Sequence, residues 1–224
     1  LLGPGLAGLL TGITLLGLGL ASPALVAAFA LGGLILILLY VRHALRVAEP
    51  MVDLRLLRIA TFRINATGGT LFRVGTGALP FLLPLMLQLG FGLTPFQSGM
   101  LTFVSGAGAL VMKFAAQSLL RAFGFRRVLV INVLLSTLFI LAPAFFTPST
   151  PWLVMALTLF VGGLSRSLQF TSLNAIAYAD VPTDKLSNAT SFSSVLQQLS
   201  GSVGITLAAM TLAGTAWMTG GGAN

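Results

Sequence analysis

Seven apolar runs follow one another with only short breaks, and this constrains the chain more than any other feature. They cover residues 2–20, 24–41, 64–89, 96–120, 128–146, 152–177 and 188–213. A helix needs about 20 predominantly apolar residues to cross a bilayer, and each run is close to that length. Charged residues make up only 7% of the 224, against about 25% in a soluble domain, and mean hydropathy is +1.01. The predicted class is therefore an all-α integral membrane protein of about seven transmembrane helices, with the lipid bilayer as its first partner.

The formal charge is +8. In a soluble protein that would suggest nucleic acid. Here the basic residues border the apolar runs, the pattern of cytoplasmic loops, so no nucleic-acid partner is expected. Two basic stretches stand out, 42–63 and 121–127, separated by two spans and therefore on one side. Placed in the cytoplasm, they put the uncharged turns near Ser22, Gly92 and Pro148 outside and the loop from Asp180 to Leu186 inside. Residues 1–41 read as a two-helix hairpin. Residues 42–63 read as a basic cytoplasmic connector carrying a short interfacial helix from Pro50, with Met51, Leu54 and Leu57 on one side. Residues 64–213 read as five further spans, and 214–224 as an exposed tail at a truncation. A start at Leu1 without methionine adds to the expectation of a piece of a longer protein.

Three cations lie inside the runs: Arg73, Lys113 and Arg166. A cation at the centre of a span costs roughly 2.5–3.5 kcal/mol on insertion scales and usually faces a bundle interior or a wet cavity. Each sits on a stripe of small or polar residues at helical spacing. Gly69, Arg73, Gly77, Pro80 and Pro84 form the first. Thr102, Gly106, Ala109, Lys113 and Gln117 form the second. Thr158, Gly162, Arg166 and Gln169 form the third, with Asn174 near it. A fourth stripe, Ser191, Ser194, Gln198, Ser202 and Ile205, carries no charge. Each cation is roughly 10–15 Å from the cytoplasmic end of its span, which suggests one shared cavity wall.

Arg73, Lys113, Arg166, Gln169 and Gln198 are thus the candidate substrate pathway, and Gly77, Pro80 and Pro84 the candidate bending points. The competing reading is snorkelling, in which the long side chains carry their charges to the interface. The amides compete in the same way as helix–helix glue. Gly162-Gly163 and Gly201 with Gly204 read as close-packing positions. No Asp, Glu or His lies inside any span, so acid–base catalysis has no candidate. There is no cysteine and one histidine, His43, so neither thiol chemistry nor a metal site is expected. Gly106-Ala107-Gly108 sits within a span with no strand before it, which excludes a nucleotide loop. No cofactor is expected, and no enzyme activity.

Several stretches resemble the fourteen-helix drug/proton antiporters of the major facilitator superfamily. They are Pro50 to Arg58 followed by Thr61-Phe62-Arg63, Leu85 to Gly99, and Asn188 to Gly204. Phe72 to Gly77, Met112-Lys113 and Ser165-Arg166-Ser167 resemble its MdtD-like branch. The resemblance extends over almost the whole chain. It implies that the first two spans are the extra helix pair between two six-helix halves, and that the next five open the second half. Gln117 to Arg127 resembles the superfamily's cytoplasmic gating loop. It keeps Gly124, Arg126 and Arg127 but lacks the acid that would lock the gate.

The function this implies is proton-coupled efflux of small amphipathic molecules by alternating access, with substrate, protons and the missing N-terminal half of the same protein as partners. Three alternatives remain at this stage. One is export of anionic metabolites with Arg73, Lys113 and Arg166 as ligands. Another is a membrane-embedded enzyme fragment. The last is a remnant that does not transport.

Overall fold

The structure, a computed structural model, describes residues 2–18, 22–44, 46–47 and 52–218. Pro50, Met51 and the last six residues, to which the connector helix and part of the tail were assigned, lie outside the described residues. Among the described residues there is no strand. Six helical segments are long and apolar enough to cross a membrane, Ala60–Gly90 and Thr183–Leu212 among them. Leu2–Leu18 adds 17 residues, about 26 Å of helix. The expected all-α membrane class holds.

Two compact units divide the chain, one of residues 1–78 with 181–224, the other of residues 79–180. The first holds α1 (Leu2–Leu18), α2 (Pro23–Ala44), α3 (Ala60–Ile64), α4 (Thr70–Gly77) and α9 (Leu186–Met218). A π-helical turn, Asn65–Gly69, joins α3 to α4. Ser22 accepts from the Leu25 amide and Pro23 takes the first helical position of α2, a serine cap followed by the residue that has no N–H to lose. α2 packs along α1, which also touches α9, and α9 packs along α4.

The connector is folded against this unit. The Tyr40 hydroxyl accepts from the Val52 amide at 2.9 Å. Asp53 caps a short 3-10 helix, Leu54–Arg58, by accepting from Arg55 N at 2.9 Å. Leu56 is its buried residue, while Leu54 is only half-buried. The tighter 3-10 turn rotates the apolar face away from the α-helical spacing expected for the connector. Lys185 Nζ lies 3.9 Å from Asp53 Oδ2, and the Phe62 and Phe192 rings are 5.4 Å apart. Asp53→Ala is expected to cost about 1 kcal/mol through the lost cap. Lys185→Ala should cost only a few tenths, because the partner lysine is largely solvated. Thermal unfolding of the two variants separates the terms; equal losses would assign the effect to the ion pair.

The second unit holds α5 (Leu79–Leu85), a π-helical turn (Met86–Gly90), α6 (Pro95–Phe123), α7 (Phe125–Leu141) and α8 (Trp152–Tyr178). Thr94, Pro95 and Gln97 start α6 with a reciprocal cap. Gln97 N donates to Thr94 Oγ1, and Thr94 N donates to Gln97 Oε1, so two otherwise orphaned amides are satisfied. Gly124 alone joins α6 to α7, at φ +74°, a conformation natural to glycine. α6 and α8 pack along much of their lengths, with α7 against α8. Pro80 falls in the first turn of α5, where its missing N–H costs nothing, whereas Pro84 lies inside the helix. The third span continues through Ala78, which keeps helical dihedrals (φ −70°, ψ −31°), into the stretch that carries both prolines.

Candidate substrate pathway

In the first unit the organising residue is Arg73. Its side chain is 3% exposed, and Nη2 donates to Asn65 Oδ1 at 2.9 Å. Asn65 itself is fully buried. Asn65, Gly69 and Arg73 recur at spacing four, and the glycine between the partners leaves the guanidinium its space. A Cβ on Gly69 would lie 2.7 Å from Asn65 Oδ1 and 2.9 Å from Arg73 Nη1. The acceptor sits at the start of the π-helical turn, a geometry frequent at functional sites. Arg73 therefore reaches back along its helix without reaching water, so simple snorkelling does not describe it.

Gly77, on the same stripe, faces α9. A Cβ there would be 2.9 Å from the Gly201 carbonyl oxygen, and one on Gly204 would press into the Val74 carbonyl oxygen. Gly77 and Gly204 let the two backbones touch, whereas a Cβ on Gly201 would meet nothing within 4 Å, so of the expected pair only Gly204 is a close-packing position. Gln198 is exposed, as is Ser194 one turn before it. The buried face of α9 is a different one, including Ala189, Phe192, Ser193 and Ala208.

In the second unit Arg166 is half-buried on α8. Its Nε donates to the Gly162 carbonyl at 3.2 Å, and its Nη2 donates to Ser105 Oγ on α6. The side chain thus points toward the N-terminus of its helix, the usual direction for long helical side chains. Ser105 lies eight residues before Lys113 on α6. Arg166 thus delivers its charge to the Ser105 level of α6, about 12 Å along the axis from the Lys113 backbone. Lys113 is exposed, with exposed Phe114 beside it.

Gln169 is 4% exposed and is held from α7. Asn132 Nδ2 donates to Gln169 Oε1 and to the Ser165 carbonyl, both at 2.8 Å. Ser167 Oγ donates to the Ala109 carbonyl at 2.8 Å. Gln169 is thus bonded between helices of its own unit. Gly108 and Gly163 form the matching close contact: a Cβ on either would press into a carbonyl oxygen of the facing helix, Phe160 or Ser105. Pro80, Gly124, Arg126 and Arg127 are exposed and Pro84 is half-buried.

Three residues belong to these arrangements without having been singled out: Asn65, Ser105 and Asn132. Asn65 extends the Gly69–Arg73 stripe by one turn, and Asn132 is a lone amide in an apolar run; both signals were available. Ser105 neighbours the predicted stripe of α6 but belongs to the adjacent face, which is the one α8 covers.

The Major Facilitator Superfamily profile matches residues 1–205. A Klebsiella pneumoniae subsp. pneumoniae protein named "Putative multidrug resistance protein MdtD" is 36% identical over 201 residues, 88% of this chain and 41% of that protein. Proteins of the same name from Salmonella heidelberg and Salmonella typhi are 35% identical over 191 residues, 85% of this chain and 41% of theirs. The chain spans about two-fifths of the length of these relatives. No solved structure matches.

Proposed function

The chain belongs to the major facilitator superfamily and is a multi-pass membrane protein, and from that premise we propose that it is the second part of an inner-membrane exporter of small amphipathic molecules. The relatives' printed name, a multidrug resistance protein, supports drugs as cargo. Export is driven by protons and proceeds by alternating access, two helical bundles rocking about a site near the midplane. An N-terminal half of the same protein supplies the opposing bundle and the acids that titrate.

The observation that carries this reading is where the polar stripes lie. Most large exposed side chains of the spans are apolar, as lipid requires. Yet Lys113 and Gln117 on α6 and Ser194 and Gln198 on α9 are exposed, on faces their own units leave uncovered. A charged or amide stripe facing hydrocarbon is costly, so each unit, taken by itself, presents a face suited to water rather than lipid. Within their own units Arg73, Arg166 and Gln169 are held by hydrogen bonds, and Pro80 and Pro84 permit bending of the third span. Gly124, Arg126 and Arg127 form the cytoplasmic gating loop. The domain reading follows: residues 1–41 the central helix pair, 42–63 the connector, 64–213 the bundle and 214–224 the tail.

Arg73→Gln and Arg166→Gln, placed in the full-length exporter, are expected to cut drug export at least about tenfold, equivalent to about 1.4 kcal/mol, with membrane abundance unchanged. Undiminished export at normal abundance would refute the assignment. The absence of any in-span acid also favours a second reading, in which an anionic cargo is the counter-charge. Parallel export assays with anionic and cationic compounds decide between the two.

A further inference from the structure

One feature of the second unit lies outside the substrate pathway. A groove of about 270 Å³ opens at the end of the unit where α6 turns into α7, lined by Leu119, Phe123, Arg127, Ile131, Leu135 and Leu168, with Val128 and Asn132. Apart from Arg127 and Asn132 its walls are apolar, and Asn132's amide nitrogen is already committed to Gln169 and Ser165. The groove follows α7 from Arg127 to Leu135, about 12 Å, along a face where Ile131 is 59% exposed.

Its charged end is unusual. Arg126 and Arg127 occupy the first turn of α7, where the helix dipole already presents partial positive charge and repels cations. Arg121 lies one turn-loop away, and all three are exposed. Among the described residues the only ion pair is Lys185–Asp53, in the other unit. Arg127 lines the groove, with Arg126 beside it in sequence and Arg121 in the last turn of α6, and among the described residues none of the three is seen in an ion pair. An apolar slot ending in such a cluster has the two halves of a phospholipid's chemistry, tail and phosphate.

We propose that the α6–α7–α8 groove is a binding site for an anionic phospholipid, the headgroup phosphate on Arg127 and the α7 N-terminus and one acyl chain along Ile131 and Leu135. Basic pockets between transmembrane helices on the cytoplasmic side hold anionic headgroups in this way. The site shares Arg127 with the proposed gating loop, but its occupancy does not depend on the cargo or on proton coupling.

The test is native mass spectrometry of the purified full-length protein in micelles containing equimolar phosphatidylglycerol and phosphatidylcholine. The wild-type protein is expected to retain phosphatidylglycerol preferentially. Arg127→Gln should lower that preference about fivefold, the worth of one arginine at an anionic surface. Ile131→Trp, which fills the slot from an exposed position, should remove the bound lipid whatever its headgroup. An unchanged preference in Arg127→Gln would overturn the proposal, as would retention of lipid by Ile131→Trp. Glycerophosphoglycerol, the same headgroup without tails, should bind far more weakly than the lipid. Equal binding would assign the site to soluble phosphates and also overturn it.

Discussion

Alanine at Gly163 is expected to destabilise the second unit by about 3 kcal/mol. The added methyl has nowhere to go. It would press into the Ser105 carbonyl oxygen, and a backbone atom inside a 29-residue helix cannot step aside as a side-chain tip can. The helices would have to separate, breaking the Gly108 contact with Phe160 and drawing Ser105 away from Arg166. Two neighbouring glycines serve as controls. At Gly162 a Cβ would be 3.4 Å from Phe139 Cβ, tight but against a side chain, and at Gly106 it would meet nothing. Gly162→Ala should therefore cost less than Gly163→Ala, and Gly106→Ala should be neutral or gain up to about 1 kcal/mol from helix propensity. Unfolding in mixed detergent micelles ranks the three. Equal midpoints for Gly162→Ala and Gly163→Ala would show that the seam is looser than the structure indicates.

Leucine at Asn65 should destabilise the first unit by about 2 kcal/mol. It takes a hydrogen-bond acceptor from a buried guanidinium, and bonds to charged groups contribute roughly 1.5–3 kcal/mol. The shape of the side chain is nearly kept, so lost packing is not the cause. Aspartate at the same place retains the oxygen that accepts from Arg73 Nη2 and adds a charge of the right sign. Asn65→Asp should therefore keep the stability that Asn65→Leu loses. Transport gives an independent reading, since Asn65 aims the Arg73 side chain. Export should fall with leucine and survive with aspartate. If both variants unfold alike, the pair is not what holds this region.

The spans were legible because the bilayer fixes their length: hydrocarbon thickness sets how long an apolar run must be. The start of α6 was equally plain, since Thr94-Pro95-Phe96-Gln97 carries cap, helix initiator and reciprocal amide in four residues. The seams were harder. Polarity marked the stripe of Thr102, Gly106, Ala109 and Lys113, but the face of α6 that packs on α8 runs through Ser98, Leu101, Ser105 and Gly108. In lipid a packed face need be no more apolar than a lipid-facing one, so periodicity cannot tell them apart. The reach of the cations is hidden from the sequence for a related reason. Residue counting locates a Cα, whereas Arg166 carries its charge a turn away, onto Ser105. The π-helical turns at Asn65–Gly69 and Met86–Gly90 had no sequence signature that was read.

The bond between Arg166 and Ser105 bears on how the chain enters the membrane. The partners are 61 residues apart, and α7 must be threaded between their syntheses. When α8 leaves the ribosome, α6 is already in place with Ser105 beside a glycine notch. An arginine that would resist partitioning alone meets a waiting hydroxyl and a surface shaped for its own helix. In this order of synthesis α6 offers α8 both a hydroxyl for its arginine and a surface shaped for its backbone.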